Sequence, residues 1–263
     1  MRFYLGTHQP HWLRLTAVPL FVSIRRLRRL KTFPRAVGGW ALDSGGFTEL
    51  STHGRWTVSA EQYVRETRRV VREIGMLEWA APQDWMCEPI ILDKTGMTVR
   101  NHQRRTTDNF IQLQQLAPEV PWRPVVQGWE LGDYLRHVGL YDSSGVDLAT
   151  MPLVGVGSVC RRQSTKQIGD VITSLSDLGL KLHGFGVKTG GLRRYGKRLA
   201  SADSMAWSYA ARYEPPMAGH THKNCANCLE YALAWRSSLV GPERLDHVMS
   251  PQLLMPWGTM SGT

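Results

Sequence analysis

The feature that most constrains this chain is a rhythm of short apolar runs separated by longer amphipathic stretches. The runs fall at 2–6, 19–24, 39–43, 77–84, 123–127, 152–157 and 181–186. Between them, 60–74 carries Val64, Thr67, Val71 and Ile74 at helical spacing, with Arg65, Arg68, Arg69 and Arg72 on the other faces. The stretch 167–178 repeats the pattern through Ile168, Val171, Ile172, Leu175 and Leu178, and 99–116 and 130–139 are predicted as further helices. Strands alternating with helices build parallel sheets, because a parallel pair needs a crossover long enough to return the chain. Seven or eight such units in 263 residues predict an α/β fold, a closed (β/α)8 TIM-type barrel rather than an open doubly wound sheet. The barrel is expected to span 1–212, and 213–263, opening with Tyr213-Glu214-Pro215-Pro216, to form a small C-terminal subdomain.

Several classes drop out. No GxGxxG follows the first run and no GxxxxGK[ST] occurs, so dinucleotide and P-loop readings lack support. No apolar run reaches the length of about eighteen residues that spans a membrane. The start, MRFYLGTHQPHW, lacks the features of a signal peptide, and a cytoplasmic location is expected. Lys and Arg number 32 against 22 Asp and Glu, a net charge of +10 carried mostly by Arg. An arginine excess suits a phosphate-rich partner, nucleic acid above all, with a solvated basic surface as the alternative. Four cysteines are too few for a disulfide scaffold; Cys87 and Cys160 read as buried thiols, while Cys225 and Cys228 form a CxxC.

Polar residues gather where the apolar runs end. The sequence passes into Asp43-Ser44-Gly45-Gly46-Phe47, into Asp84, into Gln127-Gly128, through Gly155-Val156-Gly157-Ser158, and from His183 into Gly184-Phe185-Gly186. In a parallel barrel the C-terminal strand ends share one rim, so these residues converge. Carboxylates and an amide satisfy the edge of a flat heterocycle while glycines let backbone approach its face, which suits a nucleobase. Singly, each has a plainer reading: Asp43 as the cap of a turn, Gln127-Gly128 as the start of a loop. Their joint placement favours a site.

In order and spacing these motifs, with Asp203 seventeen residues beyond Gly186, resemble the tRNA-guanine transglycosylase superfamily over about 42–247. The resemblance implies Asp203 as the nucleophile that attacks C1′ and Asp43 as general acid/base. It also implies Asp84 and Gln127 as readers of the base edge, backbone at 155–158 assisting, and Phe47 beside an aromatic stacking position. Ser44, Gly45, Gly155, Gly157, Ser158, His183 and Gly184 complete the implied base pocket, His183 standing where the family places a methionine. The chemistry is coherent on its own terms: base exchange passes through an oxocarbenium-like state, and one carboxylate to capture carbon with another to carry protons is the division of labour of retaining glycosidases. Ser201-Ala202-Asp203-Ser204 also fits a helix N-cap, and the spacing from Gly186 favours the nucleophile.

Departures at Thr48, in 155–162, at His183 and in Asp203-Ser204-Met205-Ala206-Trp207 make the chain more similar to the phage and bacterial deazapurine DNA-modification branch. That branch implies DNA as partner, a 7-deazaguanine such as preQ0 as the inserted base, and host cytoplasm if the chain is phage-encoded. The alternatives are the same chemistry on tRNA, a non-catalytic zinc-containing nucleic-acid binder, and a hydrolytic glycosylase. His8, after the first run, reads either as an aid to base or phosphate binding or as a surface loop residue. Around the CxxC, His222, Cys225, Cys228 and His247, with His220 as alternative, suit a structural tetrahedral Zn2+. Arg161, Arg162, Arg193, Arg194, Lys197 and Arg198 are expected to hold phosphates; Arg25, Arg26, Arg28 and Arg29 fit a phosphate site or a solvated helix face equally. Trp12, Trp85 and Trp129 are candidates for stacking on bases.

Overall fold

The eight strands of the computed structural model, which describes residues 1–241, are all parallel. They are β1 (Arg2–Thr7), β2 (Leu20–Ser23), β3 (Trp40–Asp43), β4 (Leu77–Ala80), β5 (Val125–Val126), β6 (Val154–Val156), β7 (Leu182–Gly184) and β8 (Leu199–Ser204). Ten α-helices accompany them: α1 (Ile24–Leu27), α2 (Gly46–His53), α3 (Ala60–Ile74), α4 (Pro89–Thr95) and α5 (Val99–Leu116), then α6 (Leu131–Ser143), α7 (Lys166–Asp177), α8 (Thr189–Tyr195), α9 (Ala206–Ala210) and α10 (Leu229–Val240).

The strand order is β4-β3-β2-β1-β8-β7-β6-β5, so the first and last strands are neighbours, with Tyr4 opposite Asp203. The sheet curls and its ladders leave β4 and β5 at the two ends. One parallel bridge, Ala80 to Trp122, joins β4 to the segment just before β5; Ala80 N–H donates to the Pro121 carbonyl at 3.1 Å and Arg123 N–H to the Ala80 carbonyl at 3.1 Å.

Period-two alternation along each strand divides two cores. Phe3, Leu5, Leu20, Val22, Trp40 and Leu42 pack outward beneath the helices. Tyr4, Phe21, Ala41 and Trp79 point the other way and form a separate cluster with Ala81, Leu153 and Phe185 on the inner face. Two residues further along the same strands, Ser23 and Asp43 face inward as well, above that aromatic floor, as Asp203 does above Ser201.

The long helices form where the sequence predicts. Ser59 caps α3 by accepting from Gln62 N–H, Thr98 and Asn101 close a capping box on α5, and Thr165 caps α7 by accepting from Ile168 N–H. Helix α7 buries Ile168, Val171, Ile172 and Leu175 completely, each contributing roughly 1.5–3 kcal/mol of burial. The run at 77–84 is strand only to Ala80, because Pro82 removes a ladder donor, and 81–88 continues as buried irregular chain. The sequence LASADS at 199–204 carries no hydrophobic signal, yet it is β8. At the C-terminal end, α10 lies on the same outer core through the buried Ala232, and its Arg236 donates to the Phe3 carbonyl.

Candidate active site

Parallel strands end on one side, and there a cavity of about 480 Å³ opens. Its wall takes Ser23 from β2, Asp43 from β3, Asp84 from beyond β4, Ser158 from beyond β6, Gly186 from beyond β7 and Asp203 from β8. The three aspartates, up to 160 positions apart in sequence, share this one space.

On the β3–β4 side the carboxyls are poorly solvated. Burial pushes Asp43 above the usual carboxylate range and the Asp203 charge adds to this, opposed by hydrogen bonds from Gly45 N–H and the Ser23 hydroxyl. Asp84 is pushed up to about 7, chiefly by burial and then by the charge of Asp43, against the hydrogen bond from Gln127. Gln127 Nε2 donates to Asp84 Oδ2 at 2.5 Å, and the Ser44 hydroxyl stands 3.5 Å from Oδ1. Behind Gln127 runs a chain of contacts: Ser158 Oγ lies 2.7 Å from Gln127 Oε1 and 3.0 Å from Glu88 Oε2, and accepts from Cys87 N–H at 2.7 Å. Ser158 holds a left-handed backbone at φ 58°, and this network fixes it there. Burial also raises the Glu88 carboxyl, which lines the cavity. His137 is kept neutral by burial, pushed down to about 3, so its Nδ1 can accept from Gln127 N–H at 2.7 Å.

The β7–β8 side is built otherwise. Asp203 Oδ1 accepts from Gly186 N–H at 3.0 Å and lies 3.3 Å from His183 Nε2, whose Nδ1 is 2.8 Å from Ser201 Oγ. Gly186 adopts φ 63°, which only glycine takes without strain, and a Cβ there would strike the Cys160 side chain. Among the described residues Asp203 Oδ2 has no hydrogen-bond partner. Asp203 is therefore a strand residue facing the cavity and not a helix cap.

Not every residue picked from sequence reaches the wall. Asp43, Phe47, Asp84, Gly157, Ser158, Asp203 and His8 do. Gln127 is wholly buried and meets the cavity wall through Asp84 and Ser158; Gly157 must be small because a Cβ would strike the Gln127 side chain. His183 is also 0% exposed, ringed by Tyr4, Phe21, Trp79 and Phe185, and supports Asp203 from beneath. Gly155 lies beneath Phe185, and Gly184 packs on Val187, so neither lines the cavity. Ser44 reaches it only through Asp84, and Gly45 lines an adjoining hollow. Trp12 and Trp85 belong to apolar clusters, and Trp129 is covered by the Arg162 guanidinium at 3.4 Å. Cys160, read as a buried thiol, is exposed and lines the cavity.

The basic residues also sort differently from expectation. Arg161 lines the cavity with its guanidinium 4.9 Å over the Phe47 ring, whereas Arg162 is tied to Trp129, donating to its carbonyl at 2.9 Å. Arg193, Arg194, Lys197 and Arg198 line a groove beside α7, and the last two immediately precede β8. They sit toward the strands' N-terminal ends, away from the rim, because α8 and one short turn return the chain by Arg198. Arg25, Arg26 and Arg29 follow β2 directly and stand at the rim, with Ser23, Glu88 and Met205 as further wall residues that sequence patterning missed. The rule that strand ends face the site points to the arginines, since the run at 19–24 precedes them.

Four ligand-type side chains gather at the far side of α9: His220, His222, Cys225 and Cys228, their donor atoms within 4.8 Å of one another. His222 Nε2 is 3.1 Å and His220 Nδ1 4.0 Å from Cys225 Sγ, and His220 Nδ1 is 3.6 Å from Cys228 Sγ. A tetrahedral ion with ordinary bonds to nitrogen and sulfur needs about 3.5 Å between such ligands, so the set fits a metal. His220 Nε2 lies 3.0 Å from a Glu230 carboxylate oxygen, the outer contact that orients a ligating imidazole. His247 lies outside the described residues. No helix among the described residues is long and apolar enough to cross a membrane.

A family model described as DeoxyPurine in DNA protein A, DpdA, matches residues 1–260. No curated protein matches the chain.

Proposed function

The chain belongs to the DpdA family of deazapurine DNA-modification transglycosylases, within the tRNA-guanine transglycosylase superfamily, and from that premise we propose how its residues exchange a base. Guanine in DNA is the outgoing base and a 7-deazaguanine such as preQ0 the incoming one. The observation that carries this reading is the single cavity into which Asp43, Asp84 and Asp203 all face, with Asp203 Oδ2 unpartnered among the described residues.

Asp203 Oδ2 attacks C1′ of the target deoxyguanosine; the C1′–N9 bond breaks and its electron pair stays with the purine. Asp43, whose protonated form burial favours, gives that base its proton and becomes the carboxylate. After guanine leaves, the 7-deazaguanine enters and Asp43 takes its N9 proton. N9 then attacks C1′ and releases Asp203, so protons and charge balance over the cycle. Asp84, titrating about 7, can donate to or accept from the base edge, and Gln127 and Ser158 fix it. His183 and Gly186 N–H keep Asp203 Oδ1 occupied so that Oδ2 faces the sugar. The aromatic floor excludes water that would hydrolyse the glycosyl-enzyme.

We take the curled sheet as a (β/α)8 barrel over 1–212, completed at β4–β5 by the Ala80–Trp122 bridge. The metal held by the His220, His222, Cys225 and Cys228 set is zinc, in a structural role. Bound there, the ion would hold together the loop that meets the barrel where the Ser208 hydroxyl donates to the Ala226 carbonyl at 2.8 Å and Gln9 Nε2 to Asn227 Oδ1 at 2.9 Å. Elemental analysis is expected to find stoichiometric zinc whose chelation lowers Tm; zinc-free protein with unchanged melting contradicts this.

The function is tested by incubating the protein with duplex DNA, tRNA and labelled 7-deazaguanine, then identifying nucleosides by mass spectrometry. Label in DNA is the expected result. Label in tRNA alone, or guanine release without incorporation, overturns it.

A further inference from the structure

A second hollow of about 380 Å³ adjoins the catalytic cavity and shares His8, Ser23, Asp43 and Phe47 with it. Its other wall is basic: Arg25, Arg26 and Arg29. The sequence dictates this arrangement. In IRRLRRL, Ile24 and Leu27 are buried in the core and Leu30 packs against it, which turns the intervening arginines outward at the end of β2. Arg28 is drawn away to Glu66 at 2.5 Å, and Arg25 has Glu49 at 3.4 Å. Among the described residues Arg26 and Arg29 meet no carboxylate within ion-pair distance. Three guanidiniums thus face a space whose one acidic wall residue is Asp43.

Guanidinium groups recognise phosphate by paired N–H donors and by charge. In a nucleotide the base is separated from its own backbone phosphate by one sugar. Here a pocket for the base is separated from a basic hollow by Asp43 and Phe47, which belong to both. We propose that the Arg25–Arg26–Arg29 hollow is a phosphodiester subsite that holds the DNA backbone phosphate flanking the target nucleotide. This rests on the proposed base exchange in DNA. The subsite anchors the strand on one side of the sugar while the base is drawn out of its stack, so C1′ is presented to Asp203. Arg161, whose guanidinium lies 4.9 Å over the Phe47 ring, lines the catalytic cavity and not this hollow.

The test is a scan of DNA substrates carrying one uncharged methylphosphonate at successive positions around the target guanosine, with the wild-type protein and an Arg26→Ala/Arg29→Ala variant whose folding is checked by Tm. In the wild type, one linkage next to the target should lower kcat/KM by about 10-fold or more, the scale of a lost charge-assisted contact. In the variant the same linkage should cost less than about 2-fold, and the slope of log K against log salt should shrink by roughly one to two. Wild-type protein that modifies DNA but is indifferent to a neutral linkage at every position overturns the subsite and leaves the base exchange standing. So does a variant as sensitive to the linkage as the wild type. Wild-type protein that binds no DNA and modifies only tRNA overturns both.

Discussion

The two sides of the catalytic cavity place carboxyls in opposite surroundings. On the β3–β4 side Asp84 is buried and Asp43 half-buried; desolvation raises both carboxyls, the charge of Asp203 adding to this at Asp43 and that of Asp43 at Asp84. On the β7–β8 side, Asp203 is gripped at one oxygen by a backbone N–H and approached by a buried imidazole, while its other oxygen has no hydrogen-bond partner among the described residues. Two environments built around the same functional group fit the proposed division between carrying protons and attack on carbon, the arrangement expected of a double displacement at a sugar.

Substitution on each side should separate these roles. Asp203→Asn keeps the shape and is expected to lower base exchange by roughly 10⁴-fold or more, the scale on which removing a nucleophile acts. Asp43→Asn is expected to lower it by about 10²–10⁴-fold, as for a general acid/base, with a changed pH profile. Steady-state exchange rates against pH measure both. Equal losses with identical pH profiles would break the distinction.

Asp84 gives a smaller effect that is read in stability. Its folded carboxyl titrates about 7, above its ordinary value of 3.8, so between these pH values the native state holds a proton that the unfolded chain has released. Stability therefore falls as pH rises through that window and levels off above it. Asp84→Asn removes this cost, and the variant should gain on the wild type by on the order of 2–4 kcal/mol between pH 4 and pH 8. Denaturant melts at the two pH values check this, and a pH-independent difference would show that Asp84 is not held protonated.

How much of this was legible in the sequence follows from what each signal depends on. Helices α3 and α5 match their expected bounds because burial at helical spacing and a side-chain cap are local properties. The acidic residues of the site were legible because they stand at or just beyond strand ends. Strand β8 was not, since small polar residues in LASADS form a strand only because β1 and β7 pair with it. The depth of Gly155 and His183, which lie on the inner face but beneath Phe185 and its neighbours, was hidden too, because cover by a ring from another strand is a tertiary property; Gly184, one residue on from His183, turns to the outer core. Arg198 and Arg25 carry the same charge, and only the path of the chain places one before a strand and the other after it.

In the proposed reaction Asp203 becomes bonded to the sugar. Protein mixed with guanine-containing DNA in the absence of incoming base, quenched in acid and digested, should yield by mass spectrometry a deoxyribose-linked peptide containing Asp203. The adduct should be lost on adding the 7-deazaguanine. An adduct on another residue, or guanine release with none formed under single-turnover conditions, would rule out Asp203 as the nucleophile.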